Sequence, residues 1–321
     1  MTGRFFLLLI LLAAANVPAM AQPEGDRDTV RQERERPQIP EPDYPNVSYG
    51  PHERNVFDIW LAKSEKPTPL VIHYHGGGFR GGDKRSINPA LLKTLLANGI
   101  TVAAVNYRLT DTAIYPAQML DCARALQFIR YHAKDYNVDP SRVGATGGSA
   151  GSGISQWLAF HDDLADSKSD DPIARESTRL KCVAVFAAQT SYDPRFIQSM
   201  FNTNRVHSAL VTFFGMASEE DLNNPQCIPL FEDSSALTHI SADDPPLLLF
   251  YPQANTPLPI NSTGEQHIHH PKFGEVMRSR MKSLNVECVV KFREDYPDIE
   301  TNKAAPWLDM ASFLTVKLGS E

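Results

Sequence analysis

The chain has 321 residues, of which 42% are hydrophobic, and this is enough to bury one large core. A formal charge of -7 is a mild acidic excess that gives no reason to expect nucleic acid or an anionic membrane surface as a partner. The four cysteines lack metal-type spacing. Cys122, Cys182 and Cys288 lie in apolar patterns and are expected to be buried thiols, whereas Cys227 lies in a loop.

The first residues form a targeting pattern. Arg4 precedes an unbroken apolar run over residues 5–15, which is too short to span a bilayer. Ala19-Met20-Ala21 then supplies the small residues that a signal peptidase reads, so residues 1–21 are expected to be a cleaved signal peptide; an uncleaved anchor is the alternative. Residues 22–45 are polar and proline-rich and predict a flexible leader. The mature protein is expected to be soluble, in the periplasm or outside the cell.

Strand and helix patterns alternate over residues 46–321. Apolar runs without polar alternation predict strands at 56–61, 69–74, 100–105, 142–145, 182–187, 246–251 and 287–292. Helical patterns are expected at 89–98, 116–132, 150–161, 272–284 and 306–318. Because such strands are buried on both faces, the repetition predicts one doubly wound α/β domain, with a mostly parallel sheet and helices on both faces.

Residues 191–242 interrupt this alternation just after a central strand. The segment is long and rich in phenylalanine and methionine. It is interpreted as a cap inserted over the carboxyl ends of the strands, where open α/β sheets bind ligands. Helices that only pack on the sheet are the alternative.

A glycine-flanked serine follows the strand that ends near Ala145. In Gly147-Gly148-Ser149-Ala150-Gly151, the glycines remove Cβ atoms that would clash in a sharp strand-to-helix turn. The helix that begins after Ser149 directs its N-terminal amides at the same place, where they stabilise negative charge. The pattern therefore predicts an exposed, activated serine.

An earlier strand ends in His75-Gly76-Gly77-Gly78. Three consecutive glycines let the backbone approach a ligand and point N–H groups at it. Together with the amide of Ala150, such donors would receive the oxygen of a tetrahedral intermediate. A turn that is glycine-rich for conformational reasons alone is the alternative.

These motifs resemble those of the hormone-sensitive-lipase-like and feruloyl-esterase-like carboxylesterases of the α/β-hydrolase superfamily. The matching segments lie at 74–79, 106–109, 115–117 with Asp121, 139–143, 147–151 and 244–247, in the family's order. The resemblance covers about residues 49–318. It implies the α/β-hydrolase fold, an ester substrate, no cofactor, Ser149 as nucleophile and the amides of Gly76, Gly77 and Ala150 as oxyanion donors.

The chain departs from that family at two catalytic positions. Asn255 stands where the family has the acid of the triad, and no histidine follows His270, so the family's base is missing from the loop after the last strand. An asparagine can orient an imidazole but cannot balance its charge, and a serine without a base is a poor nucleophile.

An exchanged triad would restore the missing groups. A cluster just before the helix at residue 272 supplies three candidate bases: His267, His269 and His270. Candidate acids at strand ends are Asp295, Asp298 and Asp193. Triads are recognised by geometry rather than by chain order, so the order Ser, His, Asp is permitted. A solvated histidine cluster on the surface is the alternative.

The leading functional hypothesis is an exported serine hydrolase that cleaves a carboxylic ester, small or polysaccharide-borne, through an acyl-enzyme on Ser149. A pseudo-hydrolase that only binds ligands, and an amidase or peptidase on the same fold, are the alternatives. No metal is expected, because His132, His161, His207 and His239 lack ligand spacing; His73 is expected in the core. Nucleic acid and, after cleavage, membrane are not expected as partners.

Overall fold

The computed structural model describes residues 39–319, and the signal peptide expected for residues 1–21 lies outside them. Its strands are β1 (Tyr44–Ser48), β2 (Val56–Trp60), β3 (Thr68–Tyr74), β4 (Thr101–Val105), β5 (Val138–Gly148), β6 (Cys182–Phe186), β7 (Leu247–Tyr251) and β8 (Cys288–Phe292). They form one sheet in the order β1-β2-β4-β3-β5-β6-β7-β8. β2 pairs antiparallel with β1 and β4, and all the other pairs are parallel. The mostly parallel sheet expected from the sequence is confirmed.

Ten α-helices accompany the sheet within the described residues. They are α1 (Pro89–Ala97), α2 (Ala117–Tyr131), α3 (Ala150–Phe160), α4 (Pro194–Phe201), α5 (Ala209–Phe213), α6 (Ile228–Ser234), α7 (Ala236–His239), α8 (Gly264–His267), α9 (Lys272–Ser283) and α10 (Ala305–Leu318). In the same range, none is long and apolar enough to cross a membrane.

Two apolar layers bury the two faces of the sheet. On one face, Leu92 of α1 and Leu314 of α10 pack against β4 and β6. On the other, Leu126 of α2, Ile154 of α3 and Met277 of α9 belong to the larger core. Helices therefore cover both faces, and the loops that leave the carboxyl ends of the strands are free to build a site.

Two strands differ from the sequence-based prediction. β1 lies partly in the segment assigned to the leader, and it was missed because it is an exposed edge strand without apolar alternation. Pro45 is tolerated there since an edge strand needs no complete ladder. β5 begins at Val138, four residues earlier than expected. A register shift opposite Thr68–Leu70 accommodates Pro140.

The segment 191–242 folds as four short helices, α4 to α7. α5 reaches the glycine-rich loop, because the ring of Phe213 stacks on that of Phe79 with centroids 4.1 Å apart. The amide of Tyr115 also donates to the carbonyl of Phe213. The insertion thus packs on the loop that follows β3 and on the end of the loop that precedes α2.

Candidate active site

Loops from four neighbouring strands meet at the carboxyl edge of the sheet. They follow β3, β5, β6 and β7, which lie in the order β3-β5-β6-β7. Together with α5 they enclose a cavity of about 420 Å³. Its wall consists of Gly77, Gly78, Phe79, Arg80, Ser149, Ala150, Gln189, Tyr192, His207, Ala209, Leu210, Ile268 and His269. The loops that the sequence singled out therefore share one cavity.

Ser149 occupies the strained turn that the sequence predicted. It caps α3 with φ 52° and ψ -121°, a region that side-chain-bearing residues rarely adopt. The turn needs its flanking glycines: a Cβ on Gly151 would stand 2.0 Å from the carbonyl oxygen of Tyr74, and one on Gly147 2.6 Å from the same atom. The strain holds the Ser149 hydroxyl at the cavity, above the N-terminus of α3.

The loop after β3 runs directly beside Ser149. A Cβ on Gly76 would lie 2.7 Å from the carbonyl oxygen of Gly148 and 3.4 Å from the Ser149 Cβ, so only glycine permits this approach. Gly77 follows with φ 112° and borders the cavity, as does Ala150. The three residues whose amides were expected to bind an oxyanion therefore lie beside Ser149.

His75 anchors this loop instead of facing the cavity. Its Nδ1–H donates to the carbonyl of Gly76 at 2.8 Å, and its Nε2 accepts from Arg54 Nη2 at 3.1 Å. The ring stacks on Tyr107 with centroids 4.3 Å apart. Burial is the main cause that lowers the pKa of His75 to about 4, so the ring is neutral and can make both bonds at once. His73 is buried in the core, as expected.

His269 is the histidine that meets the serine. Its Nε2 lies 2.9 Å from the Ser149 Oγ, within range for a proton transfer. Burial and the nearby His207 lower the pKa of the half-buried His269 below its ordinary value of 6.5. A neutral imidazole at this distance can accept the hydroxyl proton at neutral pH.

A buried glutamine holds the loop that carries His269. Gln189 Nε2 donates to the carbonyl of Ile268 at 2.7 Å and to that of Ala187 at 3.0 Å. The backbone carbonyl of Gln189 accepts a hydrogen bond from Gln156 Nε2 on α3. The residue was not identified from the sequence; the only available signal was its place just beyond β6, the strand beside β5.

The other two candidate bases have structural contacts instead. His267 is buried, stacks on Phe201 and contacts the carbonyl of Arg205 through Nε2 at 3.2 Å. His270 Nε2 contacts the carbonyl of Thr256 at 2.9 Å. The assignment of these two histidines as bases is wrong, because their side chains point into the protein and only His269 turns toward the cavity.

The three candidate acids are also elsewhere. Asp193 caps α4 and pairs with Arg195, and Asp295 accepts from the amide of Phe292. Asp295 and Asp298 follow β8, and three strand spacings, roughly 14 Å, separate that strand from β5. Within residues 39–319 no carboxylate is hydrogen-bonded to His269. The expected acid of an exchanged triad is therefore not found at these positions.

The amide at the family's acid position does not replace it. The side-chain Nδ2 of Asn255 donates to the Glu275 carboxylate at 3.0 Å, and its backbone N–H donates to the Glu294 carboxylate. Within residues 39–319 the arrangement is thus a Ser–His pair beside the glycine-rich loop, without a hydrogen-bonded acid.

Comparisons with known proteins find similarity to esterases. The probable carboxylic ester hydrolase LipM of Mycobacterium tuberculosis is 27% identical over 238 residues, covering 67% of this chain and 48% of LipM. The chain spans about half the length of the curated relatives it matches. A solved acetyl ester-xyloside bifunctional hydrolase from Caldicellulosiruptor lactoaceticus matches with a TM-score of 0.65 at 19% identity, covering 88% of this chain and 99% of that one.

A truncated carbohydrate esterase from gut microbiota gives the same TM-score of 0.65 at 19% identity, covering 86% of this chain and 95% of that one. At such identity the likeness shows the α/β-hydrolase fold alone. The sequence model of the BD-FAE family matches residues 57–267, well over half of the chain. The match includes the oxyanion loop and Ser149 and ends two residues before His269. The chain belongs to the BD-FAE family and has the α/β-hydrolase fold.

Proposed function

We propose that this protein hydrolyses carboxylic esters through an acyl-enzyme on Ser149, with His269 as the general base. The observation that carries the proposal is the 2.9 Å approach of His269 Nε2 to the Ser149 Oγ, at the wall of a cavity shared with the glycine loop. The esterase relatives support an ester as the substrate class.

The chemistry follows from the positions of these groups. His269 accepts the Ser149 proton while Oγ attacks the ester carbonyl carbon. The carbonyl oxygen gains a negative charge, which the amides of Gly76, Gly77 and Ala150 would stabilise. As the C–O bond to the alcohol breaks, His269 returns its proton to the leaving oxygen. Water then attacks the acyl-enzyme by the same path and releases the acid.

The missing acid has a calculable consequence. In a complete triad the acid orients the imidazole and stabilises the imidazolium, and amidating it lowers kcat by about 10⁴-fold. Here Gln189 fixes the loop position of His269, which replaces part of the orienting role. Within residues 39–319, no carboxylate lies in hydrogen-bond contact with His269 to balance the positive charge of its imidazolium. We therefore expect a hydrolase that is slow on neutral esters.

Labelling with a fluorophosphonate tests this function. The wild type should be labelled at Ser149 and should turn over a broad ester panel, whereas Ser149→Ala should do neither. Labelling without turnover would favour a binding protein on this fold. Faster cleavage of matched amides than of esters would favour an amidase.

Export remains part of the proposal. Arg4, the apolar run over residues 5–15 and Ala19-Met20-Ala21 support cleavage after residue 21. An enzyme released there would meet esters outside the cytoplasm, either small molecules or acyl groups on polysaccharides.

A further inference from the structure

The active-site cavity carries a cation without a carboxylate to balance it. Arg80 is the cation in its wall, which also contains the titratable residues Tyr192, His207 and His269. Among the described residues, no aspartate or glutamate lines the cavity. The negative charge of Glu265 opposes the lowering of the pKa of His207, but this residue is exposed on α8 and lies outside the cavity wall.

Arg80 lies over the oxyanion loop. Its Nε and Nη2 stand 3.8 and 4.0 Å from the position that a Cβ on Gly78 would take. Among the residues that the structure describes, its one side-chain hydrogen bond is to Ser208 Oγ, which is long at 3.3 Å and leaves most of its donors unused.

Several arginines elsewhere in the described residues are paired with acids. Arg124 pairs with Asp171, and Arg179 pairs with Asp243. Arg80 has no carboxylate partner within residues 39–319. A guanidinium kept unpaired at a cavity wall is ready to accept a planar anion in bidentate geometry.

We propose that the substrate is an ester whose acyl or alcohol part carries a carboxylate, and that Arg80 binds this carboxylate. The proposal rests on the ester hydrolysis proposed above. The bound anion also supplies negative charge to a cavity in which His269 becomes an imidazolium during the reaction. The substrate would then contribute part of the charge balance that a triad acid provides elsewhere.

Binding to the Ser149→Ala chain tests this substrate class without relying on turnover. Monomethyl glutarate and methyl valerate have similar shapes and differ mainly in a terminal carboxylate. At low ionic strength, calorimetry should show at least tenfold tighter binding of the charged ester. Adding Arg80→Gln should remove the preference, and Arg80→Lys should keep part of it. Arg205→Gln is the matched control, because Arg205 is exposed and lies outside the cavity wall. Equal affinities, or a preference that survives Arg80→Gln, would overturn the proposal.

Turnover separates this inference from the proposed function. With 4-nitrophenyl half-glutarate and valerate, corrected for self-hydrolysis, the ratio of kcat/KM should fall about tenfold in Arg80→Gln. If the fluorophosphonate does not label Ser149 in the wild type, the proposed hydrolase activity itself is refuted. If the wild type hydrolyses esters but the kcat/KM ratio is the same in Arg80→Gln, only the proposed carboxylate site at Arg80 is refuted.

A second cluster lies outside this cavity, where α3 ends beside α6 and α7. One ring nitrogen each of His161 and His239 and a carboxylate oxygen of Asp233 lie within 4.8 Å of one another. These histidines show no ligand spacing in the sequence, because the fold brings them together from distant positions.

The remaining atoms of this cluster are already held by hydrogen bonds. His161 Nδ1–H donates to the carbonyl of Asp162 at 3.1 Å, which leaves Nε2 with its lone pair 3.7 Å from Asp233 Oδ1. Tyr115 donates to the other oxygen, Asp233 Oδ2, at 2.5 Å. His239 Nε2–H donates to the backbone carbonyl of Asp233. Outer bonds of this kind fix the tautomer and orientation of metal ligands.

We infer that His161, Asp233 and His239 form a site for a divalent transition metal such as Zn²⁺. Two imidazoles and one carboxylate form a donor set that Zn²⁺ accepts, with water as the fourth ligand. Calorimetry with ZnCl₂ on the full chain should show one saturable site, weakened at least tenfold in His161→Ala and in His239→Ala. His132→Ala is the control, since His132 pairs with Asp135 without a second histidine. Zn²⁺ binding that is unchanged by both cluster variants, or no binding, would refute the site.

Discussion

Replacing Gln189 by leucine tests how His269 is held at the serine. Gln189 is 3% exposed, and its side-chain amide donates to the carbonyls of Ile268 and Ala187. Leucine keeps the volume but leaves both carbonyls without a donor. At about 1–3 kcal/mol for each buried acceptor left unpaired, the free energy of unfolding should fall by roughly 2–6 kcal/mol. At about 2–4 °C per kcal/mol, Tm should fall by roughly 4–24 °C.

The loop can lower this cost by moving its Ile268 carbonyl toward water. That movement would carry His269 away from the Ser149 Oγ, and a misplacement of about 1 Å lowers rates on the order of 10²-fold. We therefore expect a large decrease in kcat with little change in KM. The assay is steady-state hydrolysis of a neutral 4-nitrophenyl ester, well below the Tm of each variant.

Gln127→Leu is the matched control for this prediction. Gln127 is 6% exposed, and its amide also donates to two backbone carbonyls, of Ala174 and Glu176, between α2 and a surface loop. It should lose comparable stability and keep the wild-type kcat. If Gln189→Leu loses stability but hydrolyses esters at the wild-type rate, the assigned positioning role of Gln189 is wrong.

Three further predictions concern the pH profile, the turn at Ser149 and the N-terminus. Because the pKa of His269 is lowered from 6.5, the acid limb of the kcat/KM profile for a neutral ester should have its midpoint below that pH. His207→Gln should move this limb to higher pH, and an unmoved limb in the pH-rate profile would contradict the assigned coupling. Gly151→Ala should destabilise the fold by about 3 kcal/mol in a denaturant titration, because its Cβ would stand 2.0 Å from a backbone oxygen, whereas Gly81→Ala, with nothing within 4 Å, should change little. N-terminal sequencing of exported protein should begin at Gln22, and residues found before it would exclude the proposed cleavage.

Local sequence patterns were enough to predict the mostly parallel sheet and the sharp strand-to-helix turn at Ser149. Unalternated apolar runs mark parallel strands, and the glycine spacing around Ser149 marks a sharp turn, so both features can be seen in short stretches of sequence. The structure adds that contacts with the backbone of Tyr74 also require these glycines. β1 was missed for the opposite reason, since an exposed edge strand has no apolar pattern to detect.

Choosing among the three histidines required the folded loop. Their sequence positions are nearly equivalent, and only the contacts of Phe201 with His267, and of Thr256 with His270, leave His269 facing the serine. The expected acids failed because local contacts hold them elsewhere: Asp193 caps α4 and pairs with Arg195, and Asp295 accepts from the amide of Phe292. Gln189 could not be found, because a buried amide that binds backbone has no recognisable spacing.

The most direct test of the account is the kcat of His269→Ala on a neutral ester, measured beside Ser149→Ala and the surface control His132→Ala. If His269 is the base, its loss should lower kcat by at least 10³-fold, close to the loss caused by removing Ser149, because the two residues act as a unit. His132→Ala should keep the wild-type rate. A His269→Ala chain that is folded and hydrolyses esters within tenfold of the wild type would contradict the Ser149–His269 mechanism.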